Sequence, residues 1–538
     1  MKKTISLLAL LLCVAMMLSL AACGGSGSSS AGSSTAADPA ADAGAVTAAE
    51  TVSGGEGNTL TVGTLDAADG FDPTTNSNCG LGLMLVYDTI LYRDTETGDI
   101  EPMLAESWEF TDDTTLVLKI REGVTFSNGE TMTPEDVLYS LWRFVYVNNQ
   151  FSTGYDVIDF DNSTIDGNTL TLKLLSSYPD IVTQLANDRF ACVVCKSYVE
   201  STGDDAFWDK PVGTGPYVCV ENVNGSHSSY ERRDDYWGDL PEAESITIRN
   251  YSELTTMMVD FDNKVLDLVL DVGETDYNIA LDGGYGDDVT GKLFPTYDIL
   301  AITMPEYVEL FDNENVRKAV ALALDTAAIT NRVYGSLGTV ADSSLIPGVQ
   351  GYTAVGVNEY DPDAARELLA GEGYPTDASD PDAIQLLCLF PALPANEMTA
   401  TIVQAQLAEI GIKVTVDTGD FATVIPRLMN NECELGLFGT GGGTYTALNI
   451  YSTVRETSTN AAARVTDETF NGYLNDASGE MNESVRVEDY ENAQAALADT
   501  YRFIPIAYAN AANLYHNNID NVIGTVARGV SLRYVTFN

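Results

Sequence analysis

Basic residues are scarce in this chain. Its 538 residues include 27 Lys and Arg against 79 Asp and Glu, for a formal net charge of −52. A field of that sign disfavours nucleic acid and anionic surfaces, so no nucleic-acid partner is expected. It suits the solubility of an exported protein and says little about fold. Histidine is nearly absent. His227 and His516 are the only two; both lie in polar stretches and read as surface residues rather than metal ligands. No second long apolar run follows Leu20, so no membrane span of about 20 residues is expected beyond it. GxSxG and HExxH are missing as well. The acidic pairs Asp204-Asp205, Asp234-Asp235 and Asp287-Asp288 are sequence neighbours. Such runs solvate a face, whereas a working carboxylate pair comes from separated positions. An enzyme is therefore not expected, and no cofactor is implied.

What is present begins at the N-terminus. Lys2 and Lys3 precede an almost unbroken apolar stretch from Ile5 to Leu20. It is short for a bilayer core of about 30 Å and fits the core of a signal peptide. The stretch ends Leu20-Ala21-Ala22-Cys23, which resembles the lipobox of bacterial lipoproteins. That resemblance implies a signal peptide over 1–22 and a lipidated Cys23; an ordinary signal peptide with a chance cysteine is the alternative. Two acyl chains anchor a protein stably. Residues 24–57 are rich in Gly, Ser and Ala, without a basic or aromatic side chain. They cannot offset their ordering entropy by burial, so a flexible tether is expected.

Six cysteines remain in the body: Cys79, Cys192, Cys195, Cys219, Cys388 and Cys433. Cys192-Val-Val-Cys195 is a CxxC, but a zinc or redox reading needs a second ligand pair or a βα context. Buried cysteines acting as small apolar side chains are expected instead.

The first half of the body is rich in short strands, among them 60–65, 116–121, 169–174 and 245–251. One helix between them is clear: Thr133 caps it, Pro134 opens it, and two acids fill its first turn. Val137, Leu138, Leu141, Trp142 and Val145 read as its buried face. In the second half Asn313 caps a helix, and Asp361-Pro362 starts another. Then strand 384–390, helix 396–410, strand 413–417, helix 421–430 and strand 434–438 alternate. That order implies right-handed crossovers and parallel pairing, with ligands outside the carboxyl ends of the strands.

At one such end lies LFGTGGGTYTAL, residues 437–448. A Walker loop needs a Lys and a Ser or Thr after its last glycine, and Thr444-Tyr445 follows here. A dinucleotide fingerprint fails because Thr444 stands in its last glycine place. The glycines are expected to turn the chain or to let backbone approach a ligand closely.

Several stretches match one family. FDPTTNS (71–77), IEPMLAESWEF (100–110), LKIREGVTFSNGETMTPEDVLYSLWRF (118–144), VGTGPYVC (212–219), YERRDDYWG (230–238), VRKAVALALDTAAITNRVYG (316–335), YDPDAARELLAGEGY (360–374), QLAEIGIKV (406–414) and FIPIAYAN (503–510) occur in order. Over roughly 58–538 the chain resembles the family-5 solute-binding lipoproteins of bacterial ABC importers, the dipeptide-, oligopeptide- and nickel-binding class. The resemblance implies an α/β fold of the periplasmic-binding-protein-like type II, two lobes with a hinge, plus an extra subdomain in the first lobe. Lobe I would cover 58–300, with the subdomain at about 86–212; lobe II would cover 301–505, and 506–538 would return to lobe I. The crossings would be 297–304 and 503–510.

The same resemblance implies a membrane-anchored, extracytoplasmic monomer that captures a peptide or small solute for its permease. Gly215-Pro216-Tyr217 and Trp237 would be scaffold. Thr75, Asn76, Ser77 and Asn78, then Phe151 and Tyr155, would face the ligand from lobe I. Gly439, Thr440, Gly441 and Tyr445 would face it from lobe II, with Tyr508 at the hinge side. Peptide binders of the family carry an aspartate in the stretch corresponding to 437–448, which pairs with the peptide's amino group; none is present here. A metal chelate or small metabolite is the alternative ligand, and a surface sensor on the same fold is the alternative role.

Overall fold

The computed structural model describes residues 58–66, 70–74, 80–94, 97–147, 154–207, 210–440, 446–525 and 529–538. Its backbone is one mixed sheet of 11 strands. Two strands at its centre are long, Val289–Thr303 and Phe503–His516. They run antiparallel from Val289 opposite His516 to Thr303 opposite Phe503, with irregular register between Pro295 and Ile299. There Tyr297 takes a positive φ of 55°, which is uncommon for a bulky residue.

Each end of this ribbon carries its own layer of structure. At the 289 end, Leu268–Val269 pairs with Phe503–His516, and Thr59–Thr64 and Ser245–Asn250 follow in parallel. At the 303 end, Leu435–Thr440 joins antiparallel to Val289–Thr303, followed in parallel by Ile384–Pro391 and Ile412–Gly419. Helices Pro394–Glu409 and Phe421–Met429 make the crossovers between those last three strands. The parallel pairing expected for 384–438 is present, within a sheet that is mixed as a whole. The two ends have separate cores. One packs Leu60, Phe71, Tyr217 and Tyr230; the other packs Ile302, Val316, Phe390 and Val403. We call them the first and second lobes.

A third core sits on the first lobe. A sheet of four strands, Ala105–Asp112, Thr115–Ile120, Thr169–Leu174 and Ile158–Asp166, covers helix Pro134–Tyr146. The Asp136 carboxylate accepts from the Thr133 N–H at 2.9 Å and its hydroxyl at 2.7 Å, closing the helix start. Its other oxygen accepts the Lys196 N–H at 2.9 Å, tying this helix to helix Lys196–Thr202. The buried face differs from the one expected. Val137, Leu141 and Phe144 are buried, but Trp142 is 38% exposed. Trp142 stacks on Tyr139 and leans on Tyr146, so an aromatic row runs along the outer face.

Histidine also departs from expectation. His516 ends the long strand deep in the sheet and is buried. It stacks on Phe261 with ring centroids 4.3 Å apart, and its Nε2–H donates to the Phe261 carbonyl at 2.9 Å. His227 is half-buried beside Glu221. Cys192, Cys195, Cys219, Cys388 and Cys433 are buried free thiols. Among the described residues no helix is long and apolar enough to cross a membrane.

Candidate functional site: the seam between the lobes

Away from the crossing strands, the lobes meet along a polar seam. On the first lobe its main element is the segment Ser177–Gln184, which ends in the short helix Ile181–Gln184. On the second it is the start of helix Glu483–Asp499, the loop before it, and Thr446. The Ser177 hydroxyl donates to the Gly479 carbonyl at 2.7 Å. Asp180 and Arg486 approach to 3.3 Å, and the Tyr490 hydroxyl donates to the other Asp180 oxygen at 2.8 Å. Gln184 Nε2 donates to the Thr446 hydroxyl at 2.9 Å. Asp180, Gln184, Thr446, Arg486 and Tyr490 are all buried. Burial pushes the Asp180 carboxyl above the usual carboxylate range, and Arg486 and Tyr490 oppose the shift.

Arg93 continues the seam, donating to the Gly348 carbonyl at 2.9 Å. It also lines a cavity of about 50 Å³ with Met84, Tyr87, Asp188, Thr525 and Arg533. That volume admits a few waters; small-molecule sites are typically about 300–1,000 Å³. Beneath it Asp88, fully buried, accepts from Arg533 at 2.7 Å and from the Trp237 indole at 2.8 Å. Burial works against the Arg533 charge, yet Asp88 beside it carries the pKa upward. A larger cavity, about 310 Å³, lies inside the second lobe beside Ser343 and Gln494. Those two side chains bond to each other at 2.7 Å, and Gln494 also reaches the Gly351 carbonyl. No metal-holding cluster of His, Cys, Asp and Glu occurs among the described residues.

The family model for bacterial extracellular solute-binding proteins, family 5 Middle, matches residues 99–462. The chain belongs to this family. It is similar to heme-binding protein A of Haemophilus influenzae, 28% identical over 88% of this chain and 91% of that protein. It is also similar to a dipeptide-binding protein of Pseudomonas aeruginosa, at 23% over 82% and 87%. Among solved structures it superposes on NikA from Brucella suis in complex with Fe(III)-EDTA, with a TM-score of 0.79 at 20% identity, covering 89% of this chain and 100% of that one. The fold is the type II periplasmic-binding-protein fold that the sequence implied.

In this family-5 chain the expected ligand-facing residues fall into two groups. Thr75, Asn76, Ser77, Asn78, Phe151, Gly441 and Tyr445 lie outside the described residues, as does Cys23. Of the rest, Gly439 and Thr440 end the strand Leu435–Thr440, in register with Leu300 and Ile299. Tyr155 is fully buried in the subdomain core and donates to the Gln184 carbonyl at 2.7 Å. There it supports the seam residue Gln184. Tyr508, expected at the hinge side, pairs with Ile299 where the register between the two long strands is irregular. It is 5% exposed in a core of the second lobe. Its hydroxyl accepts the Ser343 N–H at 3.0 Å and lies 2.9 Å from the Ser343 and Leu345 carbonyls. The scaffold roles expected of Gly215 and Tyr217 fit their surroundings: a Cβ on Gly215 would meet the Leu85 and Val86 backbone at 2.6 Å, and Tyr217 is fully buried.

Sequence reasoning missed Asp180, Arg486 and Tyr490. Tyr490 stands 310 residues from its partner Asp180, and no local pattern links the two.

Proposed function

We propose that this chain is the receptor of an ABC importer, anchored by a lipid on Cys23 and tethered by residues 24–57. It works as a monomer. It takes a peptide or comparable small solute between its lobes, closes, and presents the solute to the membrane permease. The observation that carries this reading is the seam: two separately cored lobes, joined by two strands, meet through buried polar contacts. A solute held between the lobes enters where this seam now closes them, so capture requires opening and closing about the crossing strands. The irregular register at Pro295–Ile299 is where we place that hinge.

Thr75 to Asn78, Phe151 and the stretch Gly439 to Tyr445 remain our candidates for ligand contact. The lack of any acid in 437–448 favours a ligand held by backbone groups and hydroxyls there. That leaves room for a non-peptide solute, and relatives named for heme and for dipeptides point both ways. Native mass spectrometry of the purified chain, before and after unfolding, tests the reading. A released series of peptide masses supports the peptide solute. One non-peptide mass supports a chelate or metabolite. Failure to retain or bind any solute across a panel of peptides and metal chelates would overturn solute capture. For the anchor, Cys23→Ser is expected to move the protein from the membrane to the soluble fraction.

A further inference from the structure

We propose that Asp180, Arg486 and Tyr490 form an interlobe latch that holds the lobes together without touching the solute. The inference rests on the two-lobe closure proposed above. Three observations carry it. First, the three side chains come from different lobes: Asp180 caps the short helix of the first, while Arg486 and Tyr490 belong to the first turns of helix Glu483–Asp499 in the second. Second, all three are buried, with Asp180 at 3%, Arg486 at 7% and Tyr490 at 0% exposure. A carboxylate and a guanidinium at that depth are tolerated only when each answers the other. Third, the two second-lobe side chains are held in place on their own side. The Arg486 Nη1 donates to the Glu480 carbonyl at 2.8 Å. Tyr490 packs in the second-lobe core and donates its hydroxyl to Asp180.

The consequence follows from what opening does. Parting the lobes returns Asp180 and Arg486 to water; closing brings both charges into register with each other and with Tyr490. Part of the closing free energy is then supplied by the protein, whatever solute is bound. A change in the latch therefore shifts the affinity for every solute by the same factor, because it alters the population of the closed state and not the contacts inside it. Solute discrimination stays with the cleft residues.

The seam supplies its own reporter. A Cβ built on Gly479 lies 3.6 Å from Ser177 Cβ, within the roughly 3.5–4.5 Å of disulfide-bonded pairs. Ser177→Cys with Gly479→Cys therefore places two thiols that join only when the lobes are closed. Exchange with oxidised glutathione makes the cross-link and releases two reduced glutathiones. The experiment uses the full chain, stripped of solute by unfolding and refolding, and follows the linked peptide by mass spectrometry so that native thiols do not interfere.

The reporter chain is expected to cross-link without added solute. Adding Arg486→Met leaves the Asp180 charge buried without its cation, and should slow cross-linking at least about tenfold. Adding Asp180→Asn together with Arg486→Met removes both charges and should restore most of the rate. Tyr490→Phe, which keeps the ring, should give an intermediate slowing and serves if Arg486→Met fails to fold, as judged by circular dichroism. Cross-linking that ignores both Arg486→Met and Tyr490→Phe would overturn the latch and leave closure standing. Equal slowing by Arg486→Met and by the double neutral variant would also overturn it, because packing and not charge would then be responsible. A reporter that cross-links only when the panel of peptides and metal chelates is added would overturn the latch and leave closure standing, and one that cross-links under neither condition would overturn the closure on which the latch rests.

Discussion

Asp88 concentrates more of the architecture than any residue the sequence singled out. Its carboxylate takes the Arg533 guanidinium, the Trp237 indole and the Tyr236 hydroxyl, and its N–H donates to the Thr214 hydroxyl at 3.3 Å. It pins the chain's last residues and the 230–238 stretch onto the first lobe. Asp88→Ala leaves Arg533 buried without a counter-charge, and should cost about 3–5 kcal/mol, read as a lower urea midpoint for unfolding. Replacing both by apolar residues, Asp88→Leu with Arg533→Met, should cost clearly less, because no buried charge is stranded. Trp237 was legible as scaffold from its own neighbourhood. Its partner was not, since Asp88 lies 149 residues away and a lone aspartate before a short strand carries no pattern. Tyr155 was legible only as an aromatic in the loop after the Trp142 helix, and Tyr508 as one on a crossing strand. Whether such a hydroxyl meets solute or backbone depends on partners such as Gln184 and Ser343, which sequence proximity does not supply.

Helix Pro134–Tyr146 sets out what an element reveals of itself. Its start was fully written in Thr133, Pro134, Glu135 and Asp136, because caps act within one turn. Its orientation was not, because a row of Tyr139, Trp142 and Tyr146 is as apolar as the Val137, Leu141 and Phe144 row beside it. Tertiary packing chose between them. Leu141→Ala should therefore cost about 2–5 kcal/mol, while Trp142→Ala should stay within about 1 kcal/mol of the native chain. Urea unfolding of the two variants checks the assignment; equal losses would mean that Trp142 is a core residue after all. The alternating elements over 384–440 were legible for the opposite reason. Ile384–Pro391 pairs with Ile412–Gly419 across one helix and with Leu435–Thr440 across a helix, a strand and a second helix, so order alone gave the parallel pairing. The long strands Val289–Thr303 and Phe503–His516 pair with each other from distant parts of the chain. The family resemblance implied crossings at 297–304 and 503–510, but their full length depends on that distant pairing.

At the scale of the whole molecule, closure and acidity are linked through Asp180. Burial raises its pKa above 3.8; Arg486 and the Tyr490 hydroxyl, both on helix Glu483–Asp499, pull it back, and Tyr178 faces it from its own segment. In the open form the same carboxyl meets water and titrates near its ordinary value. The closed form therefore binds the proton more tightly. Between 3.8 and the raised value, closing takes up protons, so acidification favours the closed state and rising pH removes that contribution. The net charge of −52 also falls in magnitude on acidification, which compacts any acidic protein; Asp180→Asn keeps that general effect and deletes the specific one. Small-angle scattering of the solute-stripped chain from pH 7 down to about 4.5 should show a larger loss of radius of gyration for the native sequence than for Asp180→Asn. Arg486→Met sharpens the contrast. With its cation gone, the Asp180 carboxyl is pushed further up, so this variant should be open at neutral pH and close again on acidification. Parallel curves for all three chains would mean that Asp180 stays in one environment throughout, and that the lobes do not part at this seam.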